Sequence, residues 1–182
     1  DSGMFTNTAR VTGKDPAGSE VTAEDTAETE LLQAGMLGVS KMLVGKPDNT
    51  STGVWELTFE ITVTNMGNVT LTNLQVMDDL SHAFPTPNAF TVLDVSSEDF
   101  SVNWPGYNGI TGGEGDRRLL VLDENGLEVG QSGKITILVE LIPFNDGPFE
   151  NSVSAQALDP KGEVVDDISQ DGDDPDPDGD NE

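Results

Sequence analysis

Cysteine is absent from the 182 residues, and histidine occurs once, at His82. Without thiols there are no disulfides, no thiolate metal centres and no cysteine nucleophiles. A single histidine rules out a His-rich metal site. Basic residues are scarce too: 8 Lys and Arg stand against 34 Asp and Glu, a formal net charge of -26. Such a surface repels nucleic-acid phosphates and anionic lipid headgroups. No run of about 18 apolar residues is present, so no membrane-spanning helix is predicted and no membrane insertion is expected. Only 35% of residues are hydrophobic and 5% aromatic, which suffices for one core. The length fits one medium domain with additions, or two small ones.

What is present is unevenly placed. Residues 1–35 hold 7 acids and 2 bases, residues 36–158 hold 16 and 5, and residues 159–182 hold 11 and 1. Like charges at the density of that last segment repel, so the tail orders only if something cationic binds it. The chain opens at Asp1 without a basic start or an apolar stretch. It therefore shows no signal peptide and reads as a fragment of a longer polypeptide.

The two ends repeat each other. Phe5-Thr-Asn-Thr-Ala-Arg-Val-Thr-Gly-Lys-Asp-Pro-Ala-Gly-Ser-Glu-Val21 aligns without gaps on Phe149-Glu-Asn-Ser-Val-Ser-Ala-Gln-Ala-Leu-Asp-Pro-Lys-Gly-Glu-Val-Val165. Phe5/Phe149, Asn7/Asn151, Asp15/Asp159, Pro16/Pro160, Gly18/Gly162 and Val21/Val165 are identical. Each segment reads as strand, Asp-Pro-x-Gly turn, strand, because Pro presets the turn and Gly accepts positive φ. A tandem array explains this most simply. Residues 1–35 are then the closing hairpin and linker of a preceding repeat, or donor strands. Residues 36–170 form the next whole unit, and residues 171–182 an acidic linker. Two similar hairpins within one domain is the plainer alternative. Thr22–Gln33 has helical propensity, but the repeat makes it linker.

Within the main unit, Val54–Asn65 alternates strictly. Trp55, Leu57, Phe59, Ile61 and Val63 point one way, and Glu56, Thr58, Glu60, Thr62 and Thr64 the other, as in a half-buried strand. Met66-Gly67-Asn68 turns the chain. Val69, Leu71, Leu74 and Val76 lead into a strand ending at Asp78-Asp79. Further strands are expected at Met36–Val44, Phe90–Val95, Phe100–Trp104, Arg118–Leu122, Gly133–Ile142, Phe149–Leu158 and Val164–Ile168. Asn103–Asp116 is glycine-rich loop. Many short strands between Gly, Pro, Asn and Asp turns predict an all-β fold, a β-sandwich.

Val39-Ser-Lys-Met-Leu43, Leu57-Thr-Phe-Glu-Ile-Thr-Val-Thr-Asn-Met-Gly-Asn-Val-Thr-Leu-Thr-Asn-Leu-Gln-Val-Met-Asp-Asp-Leu80 and Phe149-Glu-Asn-Ser-Val153 together resemble the conserved-repeat domains of large bacterial and archaeal surface proteins. The resemblance covers roughly residues 37–170. It implies an immunoglobulin-like sandwich, repeated in tandem, in a secreted, cell-anchored stalk or adhesin. Loop 82–116 matches no motif of that family.

The clearest ligand signal is Asp171, Asp173, Asp174, Asp176, Asp178 and Asp180 in the final segment. Hard Ca²⁺ takes six to eight oxygens, and alternating Asp residues supply them. Pro175 and Pro177 rule out an EF-hand and stiffen the segment toward polyproline geometry. Bound Ca²⁺ would turn a floppy tether into a rigid joint, with Asp159, Asp166, Asp167, Asp78 or Asp79 as further ligands. A solvated linker without metal is the bland alternative. Asp15–Gly18 with Glu24-Asp25 lacks the Asp-x-Asp run. Separately, some bacterial immunoglobulin-like stalks join a first-strand Lys to a last-strand Asn through an amide, helped by a buried acid. Lys41 and Asn151 occupy such places. Glu60 is the candidate acid, although its alternation sets it on the wet face. A surface lysine and a turn-adjacent asparagine is the plainer reading.

Enzymatic readings find little support. His82 has no nucleophile-elbow motif nearby. Gly112-Gly-Glu-Gly115 is followed by Asp116, which repels phosphate. With 34 acids, a glycosidase pair has candidates everywhere and none is singled out. Trp55 belongs to the core by its alternation. Trp104 and Tyr107 are either loop plugs or exposed contacts. The sequence thus points to a non-enzymatic, extracellular structural module of an adhesin or filament. Its partners are neighbouring repeats or copies of itself in fibres, joined by Ca²⁺ linkers or strand donation. A glycan- or protein-binding module using loops 82–116 is the alternative.

Overall fold

The computed structural model describes residues 3–45, 47–51, 53–112, 116–172 and 174. They form two compact units, residues 1–33 and 34–182.

The first unit is a hairpin, β1 (Gly3–Lys14) and β2 (Glu20–Leu31), paired from Gly3↔Leu31 to Lys14↔Glu20. The segment read as linker is therefore strand. Cross-strand pairs override the helical propensity of its Ala and Glu residues. Arg10 lies opposite Glu24, with Nε 3.4 Å from Oε1, and the Thr8 and Thr26 hydroxyls are 3.1 Å apart. Directly paired residues share a face. One face accordingly gathers Phe5, Asn7, Ala9, Val11, Val21, Ala23 and Ala27, together with Asp25 and Thr29, and the other holds Met4 among Thr, Arg, Lys and Glu. The pattern is that of a half-buried sheet, yet Phe5, Val11 and Val21 are all exposed.

The second unit is an all-β, immunoglobulin-like sandwich. Its strands are β3 (Leu37–Leu43), β4 (Asp48–Ser51), β5 (Val54–Asn65), β6 (Leu71–Asp78), β7 (Ala89–Ser96), β8 (Gly126–Leu127), β9 (Ser132–Ile142), β10 (Val153–Leu158), β11 (Val164–Ile168) and β12 (Gln170–Asp171). One short helix, α1, spans Leu80–Ala83. One sheet has the order β11-β10-β6-β8, and the other β12-β3-β5-β9-β7, with β4 extending the β3 side of β5. All pairings are antiparallel except β12 with β3. The chain switches sheets at every step from β5 to β10 and again between β11 and β12, as sandwiches require.

The alternation in β5 holds: Leu57, Phe59, Ile61 and Val63 are buried. They meet Ile135, Ile137, Val139 and Leu141 of β9 alongside, and Leu71, Leu74, Val76, Val153, Ala155 and Ala157 from the other sheet. Each buried aliphatic or aromatic side chain stabilises the fold by roughly 1.5–3 kcal/mol relative to exposure. Phe100–Trp104 and Arg118–Leu122 do not form the strands expected of them. They meet each other through the isolated bridge Val102↔Leu120 and a few backbone hydrogen bonds, and Arg118 bridges separately to Met77 of β6. Gln75 explains part of this. Its amide takes up the backbone of Leu120, with Nε2 donating to Leu120 O at 2.9 Å and Leu120 N donating to Oε1 at 3.1 Å. Side-chain hydrogen bonds thus replace ladder bonds there.

A bulge in β6 sets which of its residues face the core. Asn73 has φ 52, and the pairing with β10 slips between Gln156↔Gln75 and Leu158↔Thr72. Asn tolerates this conformation better than most residues, and the extra residue resets the phase of the strand. Leu71 and Leu74 both face inward despite a spacing of three, and the new phase runs Leu74, Val76, Asp78. A carboxylate is thereby delivered to the core.

Candidate functional site

The delivered carboxylate meets a lysine. β3 turns Leu37, Val39 and Lys41 inward, and Lys41 is only 4% exposed. Its Nζ lies 2.8 Å from Asp78 Oδ2, and the two side chains are 2% and 0% exposed. Nζ also sits 4.8 Å from the centre of the Phe59 ring. The Tyr107 hydroxyl donates to the same Asp78 Oδ2 at 3.1 Å. Burial drives the Lys41 pKa below its ordinary value, opposed by the neighbouring Asp78 charge and its hydrogen bond. Burial and Asp78 push the Tyr107 phenol far above its usual range.

Asn151 completes the group. It lies two residues before Val153, which pairs with Asp78, in the phase of the inward Val153 and Ala155. Its Nδ2 and Oδ1 are both buried and have no hydrogen-bond partner, and the same is true of Asp78 Oδ1. The Ser40 hydroxyl is the remaining such atom among the described residues. An unpaired buried amide costs about 1–3 kcal/mol per group, so an orphaned carboxamide and an orphaned carboxylate oxygen each need a reason. Lys41 and Asn151 line one cleft of about 820 Å³ at an end of the sandwich, together with Phe59 and Phe149. Phe149 packs edge-on against Phe84, with ring centres 5.5 Å apart.

The loop over Asp78 is stapled by charge. Asp116 receives Arg118 Nε at 3.0 Å and Nη2 at 2.8 Å. Asn103 Nδ2 donates to Asp116 Oδ2 and to Arg118 O. The Arg118 hydrogen bonds hold the Asp116 carboxyl down at about 2. Tyr107 N donates to Asn103 O at 2.7 Å, which fixes the tyrosine above Asp78.

Several expected placements change. Glu60, the expected partner of Lys41, lies on the outer face and pairs with Lys134 at 2.6 Å; Asp78 takes its place. Tyr107 is 1% exposed and is no surface contact; Trp104 is partly buried against the core. His82 belongs to α1 rather than to a loop. Asp79 caps that helix, accepting from His82 N, and from the Ser81 and Thr111 hydroxyls at 2.5 Å each. Although burial opposes its charge, those bonds keep its carboxyl below the usual range. Asp159 closes a turn, and Asp167 Oδ2 accepts from Val39 N at 2.7 Å. Of the candidate calcium ligands, Asp171 lies in β12 and Asp174 is exposed, while Asp173, Asp176, Asp178 and Asp180 fall outside the described residues. Among the described residues no group of three or more His, Asp or Glu is gathered for a metal. Sequence reasoning missed Asp78 as the partner of Lys41. The signal that could have found it is the inward phase of β6, which the Asn73 bulge conceals.

No family model matches the chain, and no curated protein matches it. Among solved structures it is similar to the archaellum periplasmic stator protein FlaG from Sulfolobus acidocaldarius, at 14% identity and TM-score 0.21, covering 71% of this chain and 98% of that chain. It is likewise similar to the archaellum periplasmic stator protein complex FlaF and FlaG from Sulfolobus acidocaldarius, at 14% identity and TM-score 0.20, covering 71% and 87%. Likeness at these scores carries no argument about role.

Proposed function

We propose that this chain is a structural tandem module of a cell-surface filament or adhesin, in which the β1–β2 hairpin closes the sandwich of a neighbouring unit. The observation that carries this reading is the match between two hairpins in different surroundings. The β10–β11 hairpin seats Phe149, Val153, Ala155, Ala157 and Val165 on the sandwich core. The β1–β2 hairpin repeats its sequence and its two-faced pattern with that face exposed. A free amphipathic pair of strands of this kind is marginal alone and complements a sheet that lacks it. The partner is a unit of this same type, because the apolar face is spaced for that core. The resemblance to tandem surface-protein repeats supports the same role and an extracellular setting. The loop 82–116 ligand reading loses its main anchor, since Tyr107 is spent inside.

A chimera tests this directly: residues 36–148 placed ahead of Phe5, so that β1–β2 stands where β10–β11 stands in the natural unit. The expected result is a second folded sandwich and slow amide exchange throughout β1–β2. A disordered added segment with fast-exchanging β1–β2 overturns the reading. Within the same proposal, Asp171–Asp180 binds Ca²⁺ and stiffens the adjoining joint, supported by the spacing of its carboxylates. A melt in Ca²⁺ and again in chelator reads this. At 100 times the dissociation constant, ligand linkage raises stability by about 2.7 kcal/mol. An unchanged melting temperature and hydrodynamic radius removes calcium from the account.

A further inference from the structure

We propose that Lys41 and Asn151 become covalently joined by an amide between Nζ and Cγ, formed by the folded chain itself with Asp78 as proton carrier. The proposal stands on the geometry of the sandwich and does not depend on tandem assembly.

The three groups come from three separate elements, β3, β6 and the segment entering β10, and they converge in one apolar end of the core. Each is wasteful as a purely structural feature. Lys41 and Asp78 form an ion pair almost wholly removed from water, an arrangement whose desolvation cost rivals its attraction. Both side-chain amide atoms of Asn151 are buried and unsatisfied, although buried amides nearly always find partners. Asp78 spends Oδ2 on Lys41 and Tyr107 and leaves Oδ1 open. A carboxylate with one oxygen on an amine and the other free, on the residue paired with Val153 two places after an unpartnered carboxamide, is arranged for transfer between them.

The step balances without any added reagent. Through their 2.8 Å hydrogen bond, the Lys41 ammonium passes a proton to Asp78, which the low-dielectric surroundings favour because both groups become neutral. The freed Nζ lone pair adds to Asn151 Cγ. The Cγ–Nδ2 bond breaks as Asp78 gives its proton to Nδ2 and takes one from Nζ. Ammonia leaves, the new amide keeps one N–H, and Asp78 ends protonated. The Phe59, Phe84 and Phe149 rings line the same cleft and lower the polarity around Cγ. The product ties β3 of one sheet to the strand entering β10 of the other, so that pulling on the chain cannot peel the sheets apart.

Intact-mass measurement of the full chain, followed by proteolytic mapping, tests the bond. The expected result is a mass lower than the sequence mass by one ammonia, with the Lys41 and Asn151 peptides recovered as one branched species. Asn151→Ala and Asp78→Asn should each return the sequence mass and two separate peptides. A folded wild-type chain at its full sequence mass overturns the proposal. So does an ammonia deficit mapped elsewhere, such as a succinimide at Asn125-Gly126. A branched peptide that persists in Asp78→Asn removes Asp78 from the step. Because the wild-type mass and peptide map suffice to support or overturn the bond, poor folding of either variant leaves the test intact.

Discussion

The β1–β2 and β10–β11 hairpins share one sequence pattern in two environments. Their turns are built alike. Asp15 Oδ1 accepts from Ala17 N and Ser19 N at 2.8 Å each, and Asp159 Oδ1 accepts from Lys161 N and Glu163 N at 2.8 and 2.9 Å. Gly18 and Gly162 take φ 87 and 80. Beyond the turns the likeness ends at burial. Phe149 packs on the core, whereas Phe5 is 59% exposed. The amide atoms of Asn151 are buried in the cleft that Lys41 also lines, whereas Asn7 is exposed. Local sequence dictates the turn and the face; a body beneath dictates whether the face is used.

The largest expected break in this comparison comes from Asp78→Ala. It strands the Lys41 ammonium in the core and should cost the sandwich about 3–5 kcal/mol, read by chemical denaturation. Asn7→Ala, at the position equivalent to Asn151, should leave the same curve unmoved. Next come the paired aromatic truncations. Phe149→Ala should lose about 2–3 kcal/mol, less than a wholly buried ring, while Phe5→Ala stays within about 0.5 kcal/mol. Equal losses at both positions would show that β1–β2 already has a core. Turn variants should behave alike: Asp15→Ala and Asp159→Ala each remove two hydrogen bonds and should each cost their own hairpin about 1 kcal/mol, read by amide exchange within that hairpin.

The smallest effect is acid-dependent and belongs to the sandwich alone. The folded Asp116 carboxyl sits at about 2, below its ordinary 3.8. Its contribution is therefore present above about pH 4 and lost as pH falls from 3.8 toward 2. The pair is half in solvent, so Asp116→Asn should cost under about 1 kcal/mol at pH 6. The difference from wild type should vanish near pH 2.

Much of the frame was legible. Val54–Asn65 is strand at the expected limits because period-two alternation of β-branched and aromatic residues has one stable solution, and Val164–Ile168 likewise because it follows the Asp-Pro-x-Gly turn. The linker reading of Thr22–Gln33 gives way because the register with β1 carries the ladder on to Leu31. The site was half legible. Lys41 and Asn151 stand out by place, but their acid was sought on β5, where alternation is visible. It sits instead on β6, whose phase is broken at Asn73.

The sequence by itself determined an acidic, thiol-free, all-β chain with two copies of one Asp-Pro-x-Gly hairpin, since composition, alternation and turn chemistry are local properties. Only the tertiary structure decided which carboxylate faces Lys41. That choice depends on a one-residue bulge and on two sheets closing over the same end of the core. Burial there pairs an ordinary lysine with an aspartate and leaves the amide atoms of Asn151, on the cleft that Lys41 also lines, without a partner.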